Sequence, residues 1–261
     1  MTKKKIKKPL TIDQKITRRN FISFGVFGAA AVGCVFGWKW LYNSPIEAKG
    51  ITGGAHKPLR RALNKTEIAF RRFFYSENHL VKTYPKSMAA KIVRYNSDIG
   101  IEDKKPFNIA TWKLQVKKQN GDVLNVTLQD LKALPKTEIV FDFKCVEGWD
   151  QISYWGGVKF TDFIEHYNLH DQTQLQYVGM ETPDKTYYVG IDMPSAIHPQ
   201  TILAYEVNAK PLSLDHGAPL RLIIPVKYGI KNLKRIGIIS FSNTRPPDYW
   251  AELGYDYYSG L

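Results

Sequence analysis

Cys145 stands in the stretch Lys144-Cys145-Val146-Glu147-Gly148-Trp149, and the chain has only one other cysteine, Cys34, in an apolar N-terminal segment. The folded body therefore carries a single thiol. Such a thiol can be a small buried hydrophobe, a nucleophile beside a histidine, or, as thiolate, a soft metal ligand. Ile139, Phe141, Phe143 and Cys145 recur at a strict period of two, the spacing that puts side chains on one face of a strand. That face carries the sulfur into the interior or onto a pocket wall. No papain-type cysteine motif with a paired histidine accompanies it, so a nucleophile lacks support. The structural thiol and the metal ligand both stay open on position alone.

Other chemistry finds less support. His166 and His170 lie four apart on an expected helix, but Tyr167, Asn168 and Leu169 stand where a His-Glu-x-x-His protease needs its glutamate. Asp192, Ser195 and His198 are the residue types of a hydrolase triad; their spacing is too local and there is no G-x-S-x-G elbow, so His198-Pro199 reads as a turn. No G-x-G-x-x-G or G-K-[ST] loop offers a nucleotide site. The net charge of +13 is concentrated at the start: residues 1–20 hold eight Lys or Arg against one Asp, which leaves +6 for the rest. With no recognition helix, finger or RNA-binding signature, nucleic acid is not an expected partner.

The elements that must position Cys145 follow from pattern. Trp112, Leu114 and Val116 alternate with polar residues, Asn120-Gly121 turns, and Val123–Val126 returns. Thr127 caps a short helix that Pro135 stops. After the cysteine strand, Trp155-Gly156-Gly157 is expected to turn and Thr161 to cap a helix carrying Phe163, Ile164 and Tyr167. Strands are expected at Leu175–Met180, Leu203–Val207, Leu220–Ile224 and Ile236–Phe241. The fold class is α+β, rich in strands with short helices.

Ahead of this body, residues 1–42 combine a basic stretch, an uncharged run over residues 20–38 and the small residues Ala29–Ala31. Thr17-Arg18-Arg19-Asn20-Phe21-Ile22 resembles the twin-arginine export motif. The uncharged run also suffices for a transmembrane anchor, and the two readings agree if the signal stays uncleaved; both put the body outside the cytoplasm. Residues 43–58 read as a linker. Leu59–Leu80 is an expected basic amphipathic helix, with Leu59, Leu63, Phe70 and Phe73 between the pairs Arg60-Arg61 and Arg71-Arg72. Such a helix can lie on anionic membrane; the expectation here is that it packs its apolar face on its own domain.

Three ordered blocks add a family resemblance. Phe143-Lys144-Cys145-Val146-Glu147-Gly148-Trp149, followed by Trp155-Gly156-Gly157-Val158, resembles the metal-ligand region of the sulfite-oxidase-like molybdopterin oxidoreductases, a branch that includes the periplasmic methionine-sulfoxide reductases. His198-Pro199-Gln200-Thr201 through Asn208 resembles the segment before their pterin site. Asp215-His216-Gly217-Ala218-Pro219-Leu220-Arg221, with Lys227 through Lys234, resembles their cofactor signature.

The resemblance implies a sulfite-oxidase-type molybdopterin-binding domain over residues 59–261 and a molybdenum-molybdopterin cofactor. Cys145 would be the metal ligand. Arg221 and Lys234 would hold the pterin phosphate with the backbone of Asn232 and Leu233, and Thr182, His216 and Asn96 match further cofactor contacts. His216 stands where the methionine-sulfoxide reductases have Asn, and its His-Gly-x-Pro-x-Arg setting is similar to the sulfite oxidases. The implied reaction is two-electron oxygen-atom transfer. Reduction of sulfoxides such as methionine sulfoxide comes first, sulfite-dehydrogenase-like oxidation second, and a non-catalytic module that keeps the fold third. With no haem-attachment motif in the sequence, electrons would come from a membrane haem or cytochrome b-type subunit.

Overall fold

The computed structural model describes residues 11–47, 54–74, 76, 79–95, 99–101 and 107–260. The chain divides into two units, residues 1–46 with 56–66 and residues 47–55 with 67–261.

In the first unit, helix α1 (Ile12–Tyr42) starts at a capping box of Thr11 and Gln14, and none of its residues is buried. It is long and apolar enough to cross a membrane. Helix α2 (Lys57–Phe74) begins in this unit and its last residues, from 67 on, count with the second; it stops short of the expected Leu80. Leu59, Leu63 and Phe73 are exposed.

Among its described residues the second unit holds ten strands in two sheets. The first has the order β2 (Val123–Val126), β1 (Leu114–Lys117), β10 (Ile238–Ser242), β5 (Tyr177–Glu181) and β6 (Tyr188–Asp192). Among the described residues β1 and β10 pair in parallel and the other pairs of this sheet are antiparallel. The second, antiparallel throughout, has the order β3 (Lys136–Lys144), β4 (Asp150–Lys159), β7 (Ile202–Val207) and β8 (Lys210–Pro211), with β9 (Arg221–Ile223) also on β7. Helices α3 (Leu128–Lys132), α4 (Phe160–His166), α5 (His170–Thr173), α6 (Met193–Ala196) and α7 (Tyr249–Glu252) are one or two turns each.

The expected Asn120-Gly121 turn forms, with Gly121 at φ +93°, and Thr127 caps α3 in a reciprocal box with Asp130. Two local expectations fail. Trp155-Gly156-Gly157 lies inside β4, where a register shift between the glycines makes a bulge against β7. A Cβ on Gly157 would overlap the backbone of Leu203, so the glycine answers a close strand approach rather than a turn. Thr161 lies within α4, which starts from Lys159 without a side-chain cap. The helix carrying His166 also ends before His170, because Asn168 turns left-handed at φ 51°. Asp192 caps α6 through Ser195 while its other oxygen pairs with Lys227 at 2.9 Å, and His198 Nε2 donates to His79 O at 2.9 Å. These three residues are separate structural devices.

Two apolar clusters form the core. The smaller one gathers Ile139, Phe141 and Phe143 of β3 with Trp155, Ile202 and Ile223. Phe141 and Trp155 are almost fully buried, each stabilising by about 1.5–3 kcal/mol. This cluster anchors the strand that ends at Cys145.

Candidate functional site

Lys144 and Asp150 are the last paired residues of β3 and β4, and the five-residue reversal between them presents Cys145. Its N–H donates to Trp149 O at 2.9 Å, and Gly148 N–H donates to Cys145 O at 3.1 Å. Gly148 sits at φ +85°, left-handed backbone that glycine adopts without steric cost. Phe143 stacks on Trp149 with ring centroids 6.2 Å apart. Cys145 is 4% exposed and forms no disulfide. Its side of the turn opens on a cavity of about 210 Å³, shared with Asn232 and Lys234. Gly229 borders the same cavity, and a Cβ there would stand 3.0 Å from the Phe143 ring. The loop after β9 can therefore close on the cysteine strand.

Arg221 starts β9 and is 3% exposed. Its guanidinium donates to His216 O and Asn232 O at 3.2 Å each and lies 4.6 Å from the Trp155 ring centroid. Its Nε has no hydrogen-bond partner, and no carboxylate among the described residues pairs with it. Burial pushes its pKa down to about 9, with the field of Tyr187 acting the other way. A buried cation with neutral partners only is costly, and an anion is what would offset that cost.

Asn232 fixes the loop: Oδ1 accepts from Ile224 N–H at 2.7 Å and Nδ2 donates to Tyr228 O at 3.0 Å. Leu233 is fully buried, and its carbonyl accepts from Leu222 at 2.9 Å. Lys234 is 5% exposed, with its ammonium 5.7 Å from the Tyr95 ring centroid. Gly217, at φ +90°, packs where a Cβ would meet Lys234 Cβ at 2.7 Å, which holds the His216 turn beside Lys234.

His216 Nε2 lies 3.1 Å from Val93 O and Nδ1 lies 2.7 Å from Ser213 Oγ. A carbonyl only accepts, so Nε2 carries the proton and Nδ1 accepts from the serine. Burial lowers the imidazole pKa and keeps it neutral, opposed by the Val93 hydrogen bond; Arg221 and Lys234 lower it further. The Thr182 hydroxyl donates to Asp184 Oδ1 at 2.5 Å and accepts from Tyr187 N–H at 3.1 Å. Thr182 thus shapes the turn that presents Tyr187 and does not itself line the cavity. Asn96 lies outside the described residues.

Of the expected site residues, Cys145, Asn232 and Lys234 meet at the cavity, while Arg221, Leu233, His216 and Thr182 do not line it. Sequence reasoning missed Tyr187, Trp250, Tyr255 and Glu147, which also line it. Trp250 Nε1 donates to the Tyr187 hydroxyl at 3.0 Å, which donates to Ile230 O at 2.7 Å, and Tyr255 meets Trp250 edge-on at 5.1 Å. The aromatic run Tyr249-Trp250 with Tyr255 was the available signal.

The second unit is thus a strand-rich α+β domain with a buried thiol and buried cations near one small cavity. Residues 102–250 match the family model described as the oxidoreductase molybdopterin binding domain. Over 199 residues the chain is 33% identical to an Azospira oryzae protein that carries the name "Putative protein-methionine-sulfoxide reductase subunit YedZ1", covering 76% of this chain and 75% of that one. It is 31% identical to the protein-methionine-sulfoxide reductase catalytic subunit MsrP of Campylobacter jejuni, covering 59% and 58%. Against MsrP of Xanthomonas campestris the identity is 30%, covering 57% and 50%. The chain thus spans between half and three fifths of these two catalytic subunits. The sulfane dehydrogenase SoxCD of Paracoccus pantotrophus superposes with a TM-score of 0.48 at 16% identity, over 54% of this chain and 40% of that one. The chain belongs to the oxidoreductase molybdopterin-binding domain family, and it is an oxidoreductase.

Proposed function

We propose that this protein is an extracytoplasmic molybdopterin-dependent oxidoreductase that reduces sulfoxides, methionine sulfoxide foremost. One observation carries the reading: the Cys145 thiol opens onto the same cavity as Lys234, and the nearby Arg221 guanidinium is buried with no carboxylate among the described residues to neutralise it. A soft thiolate suits the metal, and buried cations suit a phosphate. The residues therefore fit the cofactor. When bound, molybdenum-molybdopterin supplies two-electron oxygen-atom chemistry.

The chain's own residues would do the rest. Cys145 would ligate the metal. Arg221 and Lys234 would balance the phosphate, with the backbone of Asn232 and Leu233 held in place by the Asn232 side chain. Tyr187, Trp250 and Tyr255 would shed water from the substrate and orient it against their rings. That wall suits an uncharged sulfoxide. Sulfite, the anionic alternative, gains little from His216, whose two ring nitrogens are engaged by Val93 and Ser213.

The names of the relatives make them subunits of a reductase. By analogy, electrons would reach this chain from a membrane haem or cytochrome b-type subunit. Residues 1–42 would serve as twin-arginine signal and anchor, and residues 43–58 as the linker to the domain over 59–261.

The test is elemental analysis and turnover of protein from a host that makes the cofactor, with an artificial electron donor. Near-stoichiometric molybdenum and reduction of methionine sulfoxide are expected. Cys145→Ser should lower turnover by more than the ~10–100-fold that changes around a metal ligand cost. Full activity in that variant, or oxidation of sulfite alone, would overturn the reading.

A further inference from the structure

Helix α2 carries six Lys or Arg and one Glu. At about 100° per residue, Leu59, Ala62, Leu63, Thr66, Ala69, Phe70 and Phe73 share an arc of roughly 120°, with Lys57, Arg61 and Lys65 on the other side. Leu59 is 44% exposed, Leu63 51% and Phe73 78%. An apolar stripe this exposed has a solvent other than water.

The start of α2 is fastened to the end of α1. Ile46 and His56 form a β-bridge, Lys57 N–H donates to Pro45 O at 2.8 Å, and His56 Nδ1 donates to Ser44 O at 3.1 Å. Tyr42, the last residue of α1, packs on the His56 ring at 6.3 Å. The uncharged run of α1 over residues 20–38 is about 28 Å long at 1.5 Å per residue, close to the ~30 Å hydrocarbon core of a bilayer. Lys39 is the first charge beyond it. Where α1 leaves an apolar slab, α2 therefore begins, with cations on one side and exposed Leu and Phe on the other.

We propose that α2 lies on an anionic phospholipid surface, its apolar arc in the acyl boundary and its cations among the headgroups. The charge matches the sign of such a surface, and the position matches its level. The inference rests on reading α1 as an anchor.

Hydrogen exchange of the full chain, reconstituted in vesicles of phosphatidylcholine and phosphatidylglycerol, tests both readings separately. The amides of residues 57–74 should exchange about tenfold or more slowly than in detergent-free solution of the same chain held in amphipathic polymer. Leu63→Glu/Phe73→Glu should abolish that protection while α1 stays protected; both side chains are exposed, so the body should keep its unfolding temperature. A protected α1 with an unprotected α2 overturns the proposal alone. A protected α2 with an unprotected α1 overturns the anchor on which the proposal rests. Protection in native membranes but not in pure lipid overturns the lipid in favour of a protein partner.

Discussion

Two stretches around one loop bury cations in opposite ways. Lys227 and Lys231 each face a carboxylate: Lys227 pairs with Asp192 at 2.9 Å, and Lys231 pairs with Asp248 and also donates to Gly190 O at 3.2 Å. Arg221, equally buried, faces carbonyl oxygens and the Trp155 ring. The paired lysines are complete as they stand and close the C-terminal segment onto β6. Among the described residues the arginine has no carboxylate partner, so under the proposed function the difference separates a cation that serves the fold from one that would serve a ligand.

Exchanging each cation for an apolar side chain tests that division. Lys231→Met strands the Asp248 carboxylate, which still accepts from Gly190 and Ala251. Denaturant unfolding should show a loss of ~3–5 kcal/mol, with cofactor content per folded molecule unchanged. Arg221→Met strands no anion but takes the donor from the His216 and Asn232 carbonyls, so the cofactor-free fold should lose about 1–3 kcal/mol, less than in Lys231→Met. Its cofactor retention should instead fall ~10–100-fold, the equivalent of ~1.5–3 kcal/mol for a charge-assisted hydrogen bond. Equal losses of stability in both variants would erase the distinction.

The smallest effect belongs to His216, a basic group kept neutral. Its folded pKa lies below the ordinary 6.5, so the unfolded chain takes up the proton first as pH falls. The stability it contributes is present above pH 6.5 and is lost as pH falls through the lower folded value. Unfolding midpoints between about pH 8 and about pH 5 should decline less in His216→Asn than in the parent. Identical slopes would show that another group carries the decline.

Much of the site's frame was legible in the sequence. The period-two run ending at Cys145 is a strand edge, and the buried faces of Trp112, Leu114 and Val116 follow the same rule. The cavity wall was harder to read. Tyr187, Trp250 and Tyr255 come from separate segments that touch only after β5, β6 and β10 have paired. Gly156-Gly157 looked like a turn because a glycine pair has the same local signature whether the chain reverses or another strand presses against it.

Sequence alone determined what depends on neighbours along the chain: the face Cys145 shares with Phe143, the Thr127 cap, the uncharged run of α1 and the amphipathic arc of α2. Tertiary structure decided what depends on partners far apart in the chain. It gave Lys231 its Asp248 and Lys227 its Asp192, left Arg221 with no carboxylate among the described residues, and left Leu59, Leu63 and Phe73 of α2 exposed. Periodicity sets which way a side chain points; only the packed chain sets what it meets there, and for a buried charge that partner decides whether it holds the fold or waits for a ligand.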